Sequence, residues 1–468
     1  MDTALTQALR RIETLITREA ESYADPQERL AEFRRRLERT RHLMAALGDP
    51  ETALDLIHIG GTSGKGSTAM ISEAVLQAAG LRVGTHTSPY LQTPLEKVRV
   101  DGLLIGADPA IQLADGVMEA VARLRAEQPE LGSPHYAEAW LGMALRHFAS
   151  QQCEVGVIEV GMGGRFDATN VVMPRVSVIS TVHYDHVRVL GETLADIAFH
   201  KAGIIKPGVP VVAGRLLPEA MAVIEQEAER QGARLLRVGR DVHFEPRGLS
   251  EQGGRFDYHG LALELKDVEV ALLGEHQIEN AVTALTALEV YAEARRFRLD
   301  EQAIRQGLAA VRFAGRLEVM QRSPTVILDG AHNEEKFEAL VAALRQIFRY
   351  DRLIMVLGML ETKTADPIVR RLASVADVII TTAPQVKGKP AIPANSLAVT
   401  AQQAGVEHAV ANGPPLEALH RALKLAGPND LVVVTGSLYL LGEVRSHWYS
   451  TADVVAQRST FPSNPPQP

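Results

Sequence analysis

A single cysteine, Cys153, stands in a chain of 468 residues. It has no partner for an internal disulfide and cannot alone build a thiolate zinc site, so it reads as a buried filler beside the strand that follows it. Aromatic residues are scarce at 5%, and no apolar run reaches the ~20 residues that a bilayer-spanning helix needs. The N-terminal MDTALTQALRRIETLITREA spaces its charges at helical intervals and lacks the uninterrupted apolar stretch of a signal peptide. Basic residues are in deficit: 49 Lys and Arg against 57 Asp and Glu leave a net charge of −8. That balance argues against a nucleic-acid scaffold. A cytoplasmic monomer that binds neither nucleic acid nor membrane is expected.

What is present is an ordinary globular composition, 46% hydrophobic, in a chain too long for one compact core. Residues 1–48 read as two charged amphipathic helices, and the arginine cluster in RLAEFRRRLERTRHLMAAL reads as a solvated helix face. From residue 54 short β-rich runs alternate with helical ones: LDLIHI, a glycine loop, STAMISEAVLQAAG, then RVGTHT, VGVIEV and VSVIST. The alternation predicts a mainly parallel sheet covered by helices, with ligands beyond the carboxyl ends of its strands. FDYHG, LALELK and VEVALL, within 250–273, predict antiparallel strands, followed by the helix IENAVTALTALEVYAEA. A second alternating series (VILDG, LIMVLG, VIITT, HAVA, LVVVTG) predicts a smaller Rossmann-like α/β domain. The expected division is 1–311, 312–455 and a Pro-rich disordered tail over 456–468.

The strongest local signal is Gly60-Gly61-Thr62-Ser63-Gly64-Lys65-Gly66-Ser67, between a predicted strand and a predicted helix. Glycines let backbone N–H groups turn toward an anion, and the helix adds its positive end. Lys65 can reach phosphate oxygens, and Ser67 or Thr68 can face a magnesium ion. A strict phosphate-loop pattern puts Ser or Thr directly after the lysine; here Gly66 intervenes. Glu159 ends VGVIEV at the ligand edge and offers a hard oxygen to the same ion.

GGTSGKGS resembles the GTNGKGS loop of the folylpolyglutamate synthase and dihydrofolate synthase family, within the Mur-ligase superfamily. THTSPYLQTPLEKVRVDG, VIEVGMGGRFDATN, DHVRVLGETLADIAFHKAGIIKPGVP, HQIENA, AGR and DGAHN follow in the family's order. The resemblance implies an ATP-dependent ligase that adds L-glutamate to the carboxylate of a folate or of dihydropteroate through an acyl phosphate. It implies ATP contacts at Gly61, Thr62, Ser63, Gly64, Lys65, Gly66, Ser67 and Thr68, joined by Asn280, Arg316 and Asp329 from the downstream motifs. Two magnesium ions are implied, held by Ser67, Ser88, Glu159, His186 and Lys201, the last as a carbamate. An unmodified Lys201 on phosphate is the alternative. Catalysis is assigned to Lys65, Lys201, Arg316 and His332, and the pterin side to Tyr90, Arg165, Asp167 and Thr169. An aspartate such as Asp167 can accept two hydrogen bonds from an aminopyrimidinone edge.

The sequence departs from the family pattern at Ser63 for Asn, Tyr90 for His, His200 for Glu and Ala314 for Pro. None removes a group the chemistry requires. Other readings are a different carboxylate–amine ligase of the superfamily, a catalytically inactive nucleotide-binding protein, and a plain phosphate-loop kinase.

Overall fold

Short β-branched and aliphatic runs set the strands, since such side chains fit a pleated surface packed on both faces. The computed structural model describes residues 3–16, 25–361, 365–386 and 389–463. Its N-terminal sheet has eight strands: β1 (Asp55–Gly60), β2 (Val83–His86), β3 (Val98–Val100), β4 (Leu103–Leu104), β5 (Val155–Glu159), β6 (Val176–Ile179), β7 (Val211–Ala213) and β8 (Leu235–Arg237). Their order is β4-β3-β2-β5-β1-β6-β7-β8. Every pair from β2 to β8 is parallel, and only the β2–β3 and β3–β4 pairs are antiparallel.

Side chains alternate across this sheet, so each face has its own core. Ile57, Ile59, Val155 and Val157 pack under the helices Lys65–Ala78, Glu275–Arg295 and Glu301–Ala310. Leu56 and Ile158 face the helices Thr3–Glu13, Ala107–Glu127 and Tyr136–Ser150. Burying each such aliphatic side chain contributes about 1.5–3 kcal/mol, so the sheet is the rigid base from which the loops project.

Three antiparallel strands follow, β9 (His243–Ser250), β10 (Gly253–His259) and β11 (Glu264–Val270), in the order β11-β10-β9. Here the expectation needs correcting: LALELK and VEVALL contribute to one strand, and the missing third strand lies earlier, in HFEPRGLS. That edge strand buries only Phe244, so it carries no apolar alternation to find.

The C-terminal sheet contains β12 (Glu318–Gln321), β13 (Thr325–Asp329), β14 (Leu353–Leu357), β15 (Val378–Thr381), β16 (His408–Ala411) and β17 (Leu431–Thr435). Its order is β12-β13-β17-β14-β15-β16, antiparallel only at the β12 edge. Both sheets end their parallel strands toward one shared cleft.

Two further expectations change. The arginine-rich helix is not solvated throughout, because Arg39 is buried and pairs with Glu138 at 3.0 Å. A guanidinium at that depth requires its partner, and Leu131 O adds a bond at 3.0 Å. The tail is ordered through Ser463. Arg458 O accepts from Leu104 N–H at 2.8 Å, and the Phe461 ring lies 4.0 Å from the Arg312 guanidinium. Residues 464–468 of the expected tail lie outside the described residues. Cys153 is buried, as expected. Among the described residues no helix is long and apolar enough to cross a membrane.

Candidate active site

The glycine loop joins β1 to the helix Lys65–Ala78 and is pinned from the segment after β6. Thr62 N–H donates to Thr181 O at 2.8 Å, and Ser63 N–H donates to Thr181 Oγ1 at 2.9 Å. Ser180 Oγ donates to Ser63 O at 2.6 Å. With those amides engaged, the anion donors left include the first-turn N–H groups of Lys65, Gly66 and Ser67, which have no intrahelical acceptor. Gly64 turns the chain into that helix with φ +82°, and a Cβ there would stand 2.2 Å from Asn280 Oδ1. A Cβ on Gly66 would meet the Phe313 ring at 2.9 Å and Glu159 Oε2 at 3.4 Å. The glycine that interrupts the strict phosphate-loop pattern is thus required by close packing. Lys65 Nζ curls back to Gly61 O at 3.1 Å and Thr62 O at 3.3 Å, over the mouth of the loop.

Glu159 ends β5 facing this loop. It is 5% exposed, and its Oε2 accepts from Ser88 N–H at 2.9 Å. Burial raises its pKa, against the pull of Lys65, the Ser88 amide, Arg316 and Lys97. Lys201 sits near the end of the helix Leu194–Ala202, whose start is fixed by a capping box between Thr193 and Asp196. Its side chain is buried, and among the described residues it forms no ion pair. Burial drives its pKa well below the lysine range; Lys65 and Lys336 push the same way, while Asp185 and Glu335 oppose. His186 stands at the start of the preceding short helix, Val187–Leu190, with φ +50°, and lines the same cleft.

The C-terminal lobe supplies the opposite wall. Asp329 ends β13 and accepts from Leu317 N–H at 3.0 Å and Ala331 N–H at 2.9 Å. His332 Nδ1 bonds Gly330 O at 2.7 Å, which places the proton on Nδ1 and leaves Nε2 to accept from Lys336 Nζ at 3.0 Å. Asn333 caps the following helix through Lys336 N–H at 3.0 Å. The Arg316 guanidinium lies 5.0 Å from the Phe313 ring, between the fields of Asp329 and Glu159.

One cavity of about 290 Å³ joins these walls. It brings together Gly61 through Ser67, then Ser88, Glu159, His186 and Lys201, and, from the other side, Asn280, Arg316, Asp329 and His332. Five expected residues lie elsewhere. Thr68 is fully buried on the inner face of the helix Lys65–Ala78. Arg165 turns away to pair with Glu227 at 3.2 Å and to lie on the Phe199 ring. Asp167 uses both oxygens inside its own loop, accepting from Thr169 N–H at 3.0 Å and Met162 N–H at 3.0 Å. Thr169 is buried against His58, at 2.9 Å. Tyr90 lies past the end of the cleft, edge-on to Tyr439 at 6.5 Å. Thr62 lines the cleft, but its hydroxyl donates to His183 O at 3.1 Å and accepts from His183 N–H at 3.0 Å, so it fastens the loop and offers no donor.

Sequence reading missed Glu335, which accepts from Ser63 Oγ at 3.2 Å and faces His183 Nε2 at 3.4 Å, linking the lobes. The only available signal was its place in the first turn after DGAHN. His276 also lines the cleft, its pKa lowered to about 4 by burial and by Arg316.

The Mur ligase middle domain family matches residues 133–288, and the Mur ligase, glutamate ligase domain family matches residues 315–438. The chain is 35% identical over 412 residues to the dihydrofolate synthase/folylpolyglutamate synthase of Bacillus subtilis (strain 168), covering 87% of this chain and 94% of the relative. It is 36% identical over 407 residues to the folylpolyglutamate synthase of Lacticaseibacillus casei, covering 86% and 92%. The solved Mycobacterium tuberculosis folylpolyglutamate synthase complexed with ADP superposes with a TM-score of 0.86 at 32% identity, over 95% of this chain and 98% of that one. The chain belongs to the dihydrofolate synthase/folylpolyglutamate synthase family of Mur ligases.

Proposed function

We propose that this ATP-dependent ligase joins L-glutamate to a folate, to dihydropteroate, or to both. The observation that carries the reading is the single cleft in which a helix N-terminus with Lys65 faces a buried Glu159, a buried unpaired Lys201 and the Arg316–Asp329–His332 wall. A carboxylate repels an amine and has no leaving group, so it must be activated before an amide can form. The acceptor carboxylate oxygen attacks the γ-phosphorus of ATP, the bond to the β–γ bridging oxygen breaks, and ADP leaves. Glutamate nitrogen then attacks the acyl carbon, loses its proton and expels inorganic phosphate.

The chain's groups suit those steps. Lys65 and the first-turn amides hold the phosphates, since both put positive charge where anions crowd. Arg316 reaches the transferring phosphoryl from the opposite lobe. His332 Nε2, which accepts from Lys336 Nζ at 3.0 Å, takes the proton that glutamate nitrogen sheds once that bond opens. The donor set fits magnesium: a carboxylate with one oxygen uncommitted among the described residues, the hydroxyls of Ser67 and Ser88, and the His186 imidazole. When bound, magnesium neutralises phosphate charge. A bare Lys201 ammonium would oppose that ion; the depressed pKa favours the neutral amine, which takes up carbon dioxide and becomes an anionic carbamate ligand. We further place the lobe division at residues 311/312 and read the protein as a cytoplasmic monomer.

Mass spectrometry of products from ATP, glutamate and either dihydropteroate or tetrahydrofolate tests the reading. A glutamyl conjugate with ADP supports it. Glutamylation of a muramoyl peptide in its place would make the chain a different ligase of the superfamily.

A further inference from the structure

Arg316 reaches the cleft from a short segment, residues 312–316, between the helix Glu301–Ala310 and β12. That segment, RFAGR, holds no proline, and Gly315 takes φ +71°. Its own backbone therefore does not fix where the guanidinium points. The restraint comes from behind the cleft. Gly315 N–H donates to Glu318 Oε2 at 2.8 Å, and Gly315 O accepts from Gly330 N–H at 2.9 Å. Glu318 is held in turn by Arg445, the last residue of the helix Leu438–Arg445. Arg445 Nε lies 3.0 Å from both carboxylate oxygens, and Nη2 lies 2.8 Å from Oε1.

Arg445 is 1% exposed, and one carboxylate does not use all five donors of a buried guanidinium. The others turn to distant parts of the chain. Nη1 donates to Gln92 Oε1, four residues beyond Ser88 in the opposite lobe, and Nη2 donates to Thr460 O. Gln92 Nε2 adds a bond to Tyr449 O at 2.7 Å. Residues 458–461 themselves touch both lobes. Arg99 in β3 donates to Thr460 Oγ1 at 3.5 Å, while the Phe461 ring stands 4.0 Å from the Arg312 guanidinium and 5.3 Å from that of Arg445. Phe461 thus covers the start of the Arg316 segment, and Glu318 holds its end. One cation joins that segment to the Ser88 loop and to the C-terminal stretch.

We propose that Arg445 is a positioning residue for phosphoryl transfer. It holds Glu318, Glu318 holds the Gly315 amide, and Arg316 is thereby aimed at the γ-phosphate while Gln92 and residues 458–461 are docked around the clasp. The role of Arg316 rests on the ligase reading above; the connection from Arg445 to Gly315 rests on the geometry.

Calorimetry with ADP and with the triphosphate analogue AMPPCP tests this on the full chain. The ratio of the two affinities reads the γ-phosphate contact, and ADP affinity reports an intact cleft. Arg316→Ala should lower the preference for AMPPCP by about tenfold or more, as loss of a charge-assisted contact implies. Arg445→Lys, whose single ammonium cannot span Glu318, Gln92 and Thr460, should lower it by about fivefold while ADP affinity is kept. The double variant should fall no further than Arg316→Ala, whereas two independent losses would multiply. Phe461→Leu leaves the Arg445–Glu318 pair in place and should lower the preference by about twofold; it decides the matter should Arg445→Lys fail to bind ADP. An Arg445→Lys protein with the wild-type preference, or a double variant in which the losses multiply, overturns the clasp. An unchanged preference in Arg316→Ala overturns it too, by removing its target. Product analysis of the wild type decides the ligase reading separately: a chain that makes a glutamyl conjugate while Arg445→Lys keeps its preference loses only this proposal.

Discussion

The two α/β lobes share a strand–helix plan and differ in what they bury. In the C-terminal lobe the deep charges of Arg445, Asp430 and Asp329 meet partners in the same lobe. Arg445 pairs with Glu318 at 2.8 Å, Asp430 with Arg352 at 2.6 Å, and Asp329 with two backbone amides. The N-terminal lobe buries Lys97 and Lys201, neither of them in an ion pair among the described residues, and carries His58 and His86 inside its sheet. One lobe is complete as a folded object. The other holds groups whose partners arrive with the ligands, so its chemistry is inseparable from a cost in stability.

The largest expected break in that contrast is Lys65→Ala. Removing the lysine from the phosphate loop should lower turnover by about 10³-fold, read as ADP release; an unchanged rate would show that the loop does not carry the phosphates. Next, Lys201→Ala should cost about 10²-fold, the scale of losing a metal-side group. Added acetate or formate should return part of that activity if the missing group is an anionic oxygen, and full activity without supplement would rule out the carbamate. Its thermal midpoint should not fall, because the buried amine forms no ion pair among the described residues.

Acid should separate the lobes. Burial lowers the pKa of both His58 and His86 from 6.5 to about 3. The folded state keeps them neutral while the unfolded chain binds protons below 6.5. Their contribution is therefore intact above that pH and is lost as pH falls toward 3. At pH 5 the cost is about 2 kcal/mol per histidine. Glu73 and Glu159, whose pKa values burial raises, act in the opposite sense. His58→Gln should therefore remove about one histidine's share of the stability lost between pH 7.5 and 5, measured by denaturant unfolding. Hydrogen exchange should speed up first around β1 and β2. The smallest effect belongs to Glu335→Gln. The pair it forms across the cleft is partly exposed, so nucleotide KM should move by less than about threefold.

Much of this arrangement was legible in the residues. Parallel strands announced themselves as apolar runs, and Gly64-Lys65-Gly66 lay between a strand and a helix as a phosphate loop should. Elements with weak periodicity escaped, notably β9 and the edge strand β12, where few side chains face a core. Arg39 was misread because a sequence shows charge and not depth; Glu138, its partner, lies 99 positions away. The acceptor side was hardest for the same reason. Asp167 and Thr169 satisfy each other locally, and nothing in PLEKVRV distinguishes Lys97 from a solvated lysine until Tyr90 and Tyr136 are placed beside it.

The stretch after Ala456 has a consequence for solubility. By bonding Leu104, Arg458 occupies the backbone of the outermost strand of the large sheet. An uncovered border of that kind, with Leu103 beside it 47% exposed, is a template on which a second molecule can add a strand. Clipping the chain before Gln457 should turn a well-behaved preparation into one that self-associates, even though no residue of the cleft has been touched.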